Sequence, residues 1–162
     1  SLERLKHAKH RPETKPVPFM TDSLEKLSRL AQVTESAARL AQAFLPGALT
    51  LVLKRSPEVD PAYTNGMETI AVRIPDAPAL LAVMKQLDAP LLVTSANQSG
   101  QPAALTAAEA AHALPDIDGV MDGSCAGGVA STIVDCTCSP VRILRQGPVS
   151  EETIRQALEE TV

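Results

Sequence analysis

The chain has 162 residues, enough for one domain of ordinary size, with 44% hydrophobic and 21% charged residues. The aromatics are Phe19, Phe44 and Tyr63, so the core is aliphatic, and a single-strand nucleic-acid reader built on stacking aromatics is disfavoured. Fifteen Lys and Arg against nineteen Asp and Glu leave a net charge of −4, which argues against a broad phosphate-backbone footprint.

In chain order, residues 2–9 read as the last turns of a helix. Pro12, Pro16 and Pro18 then force extended chain over Lys15–Met20. Ser23 is placed to cap a helix over Leu24–Ala31, and Thr34 a second with Ala38, Leu40, Ala41 and Phe44 on its apolar side, stopping at Pro46-Gly47. Leu49–Leu53 and Thr69–Ile74 read as buried strands joined by a loop over Pro57–Gly66. Asp76 is expected to cap a helix with Pro78 near its first position, running to about Leu87. Pro90–Thr94 is a continuous apolar run, the signature of a strand buried on both faces.

Thr106-Ala-Ala-Glu109 is a capping box opening a helix that ends before Pro115. Val120, Ile133–Val134 and Val141–Leu144 mark further strands, and Ser150-Glu-Glu opens a closing helix to about Glu160. Helices interleaved with strands argue for an α/β fold with a mixed sheet, in a single domain over residues 1–162.

The start of the chain is charged, unlike a secretory signal, and no run of about 18 apolar residues reads as a membrane span. Three cysteines (Cys125, Cys136 and Cys138) without C-x-x-C fit a reduced, cytoplasmic protein. Cys136-Thr-Cys138 reads as part of a strand whose two thiols do not easily bind one metal, so no metal site is expected there. The sequence has no Walker loop, no G-x-G-x-x-G and no G-x-S-x-G.

Three segments can carry chemistry. In Lys9-His-Arg11-Pro-Glu-Thr-Lys15-Pro16, prolines pin three cations into a set geometry that suits an anion, phosphate above all; a solvated charged face is the competing reading. In Thr94-Ser95-Ala96-Asn97-Gln98-Ser99-Gly100, a strand empties into small hydrogen-bonding residues, where open α/β sheets bind ligands; a plain Ser/Asn/Gly reversal is the alternative. The third is Ser131-Thr-Ile-Val-Asp135 followed by Val141–Gly147, with Arg145 at a strand end before glycine, placed for a ligand or for a surface ion pair.

These segments occur in the order K-x-R-x-x-x-K-P (Lys9–Pro16), L-P-G-x-x-T-L-V-L (Leu45–Leu53), V-R-x-P (Val72–Pro75), T-S-A-N-x-S-G (Thr94–Gly100), S-T-I-V-D (Ser131–Asp135) and I-L-R-x-G (Ile143–Gly147). In this the chain resembles the YrdC-type threonylcarbamoyl-AMP synthases over nearly its whole length. The resemblance implies a twisted mixed sheet with flanking helices and a concave, positive cleft. It implies formation of threonylcarbamoyl-AMP and pyrophosphate from L-threonine, bicarbonate and ATP, with Mg²⁺. A downstream tRNA threonylcarbamoyl transferase complex would use the product.

Carried over residue by residue, the family pattern puts Arg11, Lys15, Thr50, Ser95, Ala96, Asn97 and Arg145 around ATP. Thr94 and Ser131 fall where threonine is contacted, and Lys9 and Arg11 form the catalytic pair. The family's P-T-[DE]-T-x-Y-G-L strand motif has no counterpart before Lys9, so the domain is expected to be N-terminally incomplete. Met20 stands where many members carry a threonine-contacting histidine. The rival readings are a catalytically incomplete nucleotide- or RNA-binding module of the same fold, with at most weak RNA contact, and a carbamoyl-adenylate domain like that of hydrogenase maturation factors.

Overall fold

A computed structural model of the chain describes residues 2–10, 16–125 and 128–159. Local sequence signals set most helix starts. The Ser23 hydroxyl accepts from the Lys26 amide and opens α2 (Leu24–Leu30), and the Thr34 hydroxyl accepts from the Ala37 amide and opens α3 (Glu35–Phe44). Thr106 accepts from the Glu109 amide and opens α5 (Ala107–Ala113), while the Glu109 carboxylate reaches back to the Leu105 amide at 2.7 Å. The remaining helices are α1 (Leu2–Ala8), α4 (Pro78–Leu87) and α6 (Glu151–Glu159).

The strands are β1 (Phe19–Met20), β2 (Ala31–Gln32), β3 (Leu49–Arg55), β4 (Thr69–Arg73), β5 (Leu91–Leu92), β6 (Thr132–Asp135) and β7 (Arg142–Arg145). They form one mixed sheet in the order β5-β1-β4-β3-β6-β7, with β2 also paired to β3. The α/β class with a mixed sheet is therefore as the sequence indicated.

Contacts divide the chain into two compact units: Ser1–Pro16 with Thr94–Gly128, and Val17–Val93 with Val129–Val162. The second unit holds the whole sheet with α2, α3, α4 and α6. Its centre is β3, antiparallel to β4 and parallel to β6, so that Leu51 pairs with Val72 on one side and Val134 on the other. Strand alternation puts Leu49, Leu51 and Leu53 on one face, all fully buried in a cluster with Leu27, Leu40, Ala41 and Ile154 from the helices. Arg39 ties α3 to α6 through a 3.1 Å bond to the Leu158 carbonyl.

The first unit holds α1, α5 and the loops between residues 94 and 125. Its ties include a 2.6 Å ion pair between Arg4 and Asp118 and an isolated bridge of Thr106 with Ser124.

Several expectations are corrected. Leu91–Leu92 is a two-residue edge strand with half-buried side chains, since only β1 flanks it. Val120 lies outside any strand. Ala77, not Asp76, is the N-cap of α4, and no side chain caps it. On α3 the helical turn buries Ala37 and leaves Ala38 exposed. Ala31 leaves the helix for β2, and the 57–66 loop contains a 3-10 turn over Pro61–Thr64. The segment holding Cys136 and Cys138 is no strand, since β6 ends at Asp135; Cys136 is buried and Cys138 exposed.

Candidate functional site: an arginine pair and a clamped Ser/Asn loop

In the sheet unit, Thr50 lies on β3 between Leu49 and Leu51, so alternation turns it to the face opposite the apolar cluster. Its hydroxyl pairs with the Ser131 hydroxyl at 2.7 Å. Arg145 ends β7. A register shift at Ile133/Val134 sets Ile133 opposite Arg145 and Val134 opposite Ile143, leaving Leu144 as the extra residue of a bulge. Arg145 donates to the Ser131 carbonyl from Nε at 3.0 Å and from Nη2 at 2.8 Å, and from Nη2 to the Ser131 hydroxyl at 3.3 Å. Thr50, Ser131 and Arg145 therefore meet.

The next turn fixes this corner. The fully buried Thr132 hydroxyl accepts from the Gly147 amide at 2.9 Å and the Val149 amide at 3.1 Å, and donates to the Val149 carbonyl at 2.7 Å. A Cβ on Gly147 would collide with the Ala130 carbonyl and the backbone of Ser131 and Thr132. The glycine of I-L-R-x-G is thus required by close backbone packing.

Arg73, at the end of β4, was not singled out as a site residue by the sequence. Its Nε donates to the Gly47 carbonyl at 2.7 Å. Burial, and after it the charge of Arg145, holds its pKa below the usual arginine value. Neither Arg73 nor Arg145 forms an ion pair with an acidic side chain among the described residues. Two guanidiniums that repel each other and lack a carboxylate make a site an anion would stabilise. In the sequence Arg73 appears as the arginine of V-R-x-P (Val72–Pro75), at a strand end, with no role attached to it.

In the first unit, the 94–100 segment folds against the end of α1. Lys9 is 4% exposed, and its ammonium donates to the Ser95 carbonyl, to the Asn97 carbonyl at 2.7 Å and to Asn97 Oδ1 at 3.1 Å. Asn97 Nδ2 donates to the Gln98 carbonyl at 3.0 Å and the Gln101 carbonyl at 2.6 Å. The Ser99 amide bonds the Lys9 carbonyl at 2.9 Å, and the Ala96 carbonyl accepts from the Ala104 amide at 2.9 Å. Ser95 is exposed, while Thr94 and Ala96 are half-buried. Lys9, Thr94, Ser95 and Ala96 line a hollow of about 340 Å³ together with Leu5 and Ala8.

Arg11 and Lys15 lie outside the described residues. Among the described residues no group of three or more His, Cys, Asp or Glu is arranged to hold a metal ion, and no helix is long and apolar enough to cross a membrane.

The sheet unit thus carries arginines at two strand ends that pair with no carboxylate among the described residues, and the first unit carries a Ser/Asn loop held by a buried lysine. A model of the Sua5/YciO/YrdC family, described as "Telomere recombination", matches residues 1–147, and the chain belongs to that family.

The chain is 35% identical over 162 residues to the threonylcarbamoyl-AMP synthase of Bacillus subtilis, covering 98% of this chain and 47% of that protein. It is 37% identical over 161 residues to the putative threonylcarbamoyl-AMP synthase of Mycobacterium leprae, covering 98% and 73%. The crystal structure of Pyrococcus abyssi Sua5 complexed with L-threonine superposes with a TM-score of 0.92 at 36% identity, covering 98% of this chain and 48% of that one. The chain spans about half the length of the Bacillus and Pyrococcus relatives.

Proposed function

We propose that this chain carries threonylcarbamoyl-AMP synthase chemistry. The threonine amine and bicarbonate condense to a carbamate with loss of water. A carbamate oxygen then attacks the α-phosphorus of ATP, the bond from that phosphorus to the bridging oxygen breaks, and pyrophosphate leaves. Once the carbamate exists, this step calls for little proton transfer. The protein's task is to position the reactants and to neutralise phosphate charge. Charge and hydrogen-bond donors suffice for that, in keeping with a chain that has no triad motif.

The observation that carries the reading is the pair of Arg73 and Arg145, two guanidiniums without an acidic partner among the described residues, with Arg145 bonded to the Ser131 hydroxyl that pairs with Thr50. In this unit we assign Thr50 and Arg145 to nucleotide contact and Ser131 to threonine contact. Arg73, supported by its place beside Arg145, is added as a carrier of positive charge toward an anionic group. In the first unit we assign Thr94 to threonine contact and the Ser95–Asn97 loop to the nucleotide, with Ser95 and the Ala96 backbone as its contacts. Arg11 and Lys15 belong to the nucleotide set on the family pattern alone.

The described residues form no cage for Mg²⁺. The ion is proposed to arrive with the incoming nucleotide, where it would offset phosphate charge. The cytoplasm, and a tRNA threonylcarbamoyl transferase complex as user of the product, complete the proposal.

The test is pyrophosphate release from ATP, with threonine and bicarbonate omitted in turn. Release that requires both supports the synthase. ATP binding with no release under any combination favours the incomplete module. The net charge of −4 weighs against RNA as that module's chief ligand.

A further inference from the structure

Lys9 belongs to the basic motif that the family pattern marks as catalytic, yet its side chain is one of the most enclosed charged groups among the described residues. An ammonium has three N–H donors in tetrahedral array. Three acceptors of the 94–100 loop face Lys9 Nζ: the carbonyls of Ser95 and Asn97, and Asn97 Oδ1. An ammonium whose donors are all directed into its own protein has none left for a phosphate oxygen.

Asn97 is spent in the same way. It is 8% exposed, its Oδ1 accepts from Lys9, and both hydrogens of its amide are matched by the carbonyls of Gln98 and Gln101. Lys9 and Asn97 are thus two halves of one buried clamp. The clamp joins the residue just past α1 to the middle of the loop, and the Ser99 amide bond to the Lys9 carbonyl closes it from the backbone side. Neither the exposed Ser95 side chain nor the Ala96 backbone amide takes part in the clamp.

We infer that Lys9 and Asn97 are positioning residues, which act on the ligand through the fold of the Thr94–Gly100 loop, and that Ser95 and the Ala96 amide make the contacts. Buried polar groups satisfied in this way rigidify the segment they join, and losing one leaves the others unpaired. The inference deepens the proposed nucleotide-binding reading of this loop, and its claim about the loop stands without any ligand.

The experiment uses Lys9→Met and Asn97→Ala, with amide hydrogen exchange read first in the absence of ligand. Both variants are expected to exchange faster across residues 94–104 while the amides of β3 and β6 keep their protection. MgATP is then titrated over a range of salt concentrations. Affinity is expected to fall in both variants by about 10- to 100-fold, by analogy with groups that orient the direct ligands of metal sites. The salt dependence of binding is expected to stay that of the wild type, because no phosphate-contacting charge has been removed.

The inference is overturned if exchange in the loop is unchanged in both variants. It is equally overturned if Lys9→Met flattens the salt dependence while Asn97→Ala binds as the wild type does, which would make the Lys9 ammonium a direct phosphate contact. A wild type that fails to bind ATP would defeat the nucleotide reading and leave the exchange result to decide the clamp.

Discussion

Replacing Thr132 by valine removes one hydroxyl and keeps the shape of the side chain. That hydroxyl serves three backbone groups: the amides of Gly147 and Val149 and the carbonyl of Val149. Each bond is worth about 0.5–1.5 kcal/mol net, and each backbone group left buried without a partner costs about 1–3 kcal/mol. Gly147 and Val149 are only half-buried, so water can recover part of the loss. The expected destabilisation is about 2–4 kcal/mol, a drop in Tm of about 4–16 °C for a chain of this size.

Urea denaturation is the assay, with a lowered midpoint at unchanged slope. Thr132→Ser keeps the hydroxyl and loses one methyl, a change of about 1 kcal/mol, so it should lie well above the valine variant. A valine variant as stable as the serine variant would refute the role given to this hydroxyl in holding the turn after Arg145.

Other expectations follow from the core and the titrating groups. Leu51→Ala, at the fully buried centre of the sheet, should destabilise by about 2–5 kcal/mol in the same denaturation assay. Cys136 has its thiol pushed up to about 12, by burial first and then by Asp135 and Cys138, so a thiol reagent at neutral pH should label the exposed Cys125 and Cys138 and reach Cys136 only after unfolding. Asp135 is pushed up by burial but held below the ordinary carboxylate value by the Thr137 hydroxyl and amide and by Arg142. Its stabilisation is therefore present above the unfolded pKa of about 3.9 and is lost as pH falls through the lower folded value. Urea midpoints measured down through that range should decline less steeply in Asp135→Asn, and equal slopes would contradict the assignment.

Local chemistry was legible in the sequence. The caps at Ser23, Thr34 and Thr106 each depend on a hydroxyl and an amide three residues on, so nearby residues were enough to place them. The central strands were legible because Leu49–Leu53 and Thr69–Ile74 are short, largely apolar runs on either side of a loop rich in turn formers. What distant partners decide was not legible. Leu91 and Leu92 have the composition of a central strand, but the order of strands makes them an edge.

The site shows the same division. The motif that holds Arg145 was visible, and its contact with Ser131 follows from the pairing of β6 with β7. Arg73 gains its meaning only from the nearby charge of Arg145, which sequence spacing does not encode. Lys9 looks like a surface cation until the Ser95 and Asn97 carbonyls are seen to enclose it.

Titration calorimetry of MgATP into the wild type and Arg145→Ala tests the anion site most directly, with urea denaturation run alongside to show that the variant is folded. If this guanidinium meets the nucleotide, its loss should weaken binding by about 1.5–3 kcal/mol, or roughly 13- to 150-fold. Unchanged affinity in a folded Arg145→Ala protein would contradict the placement of the nucleotide's charge on this arginine pair.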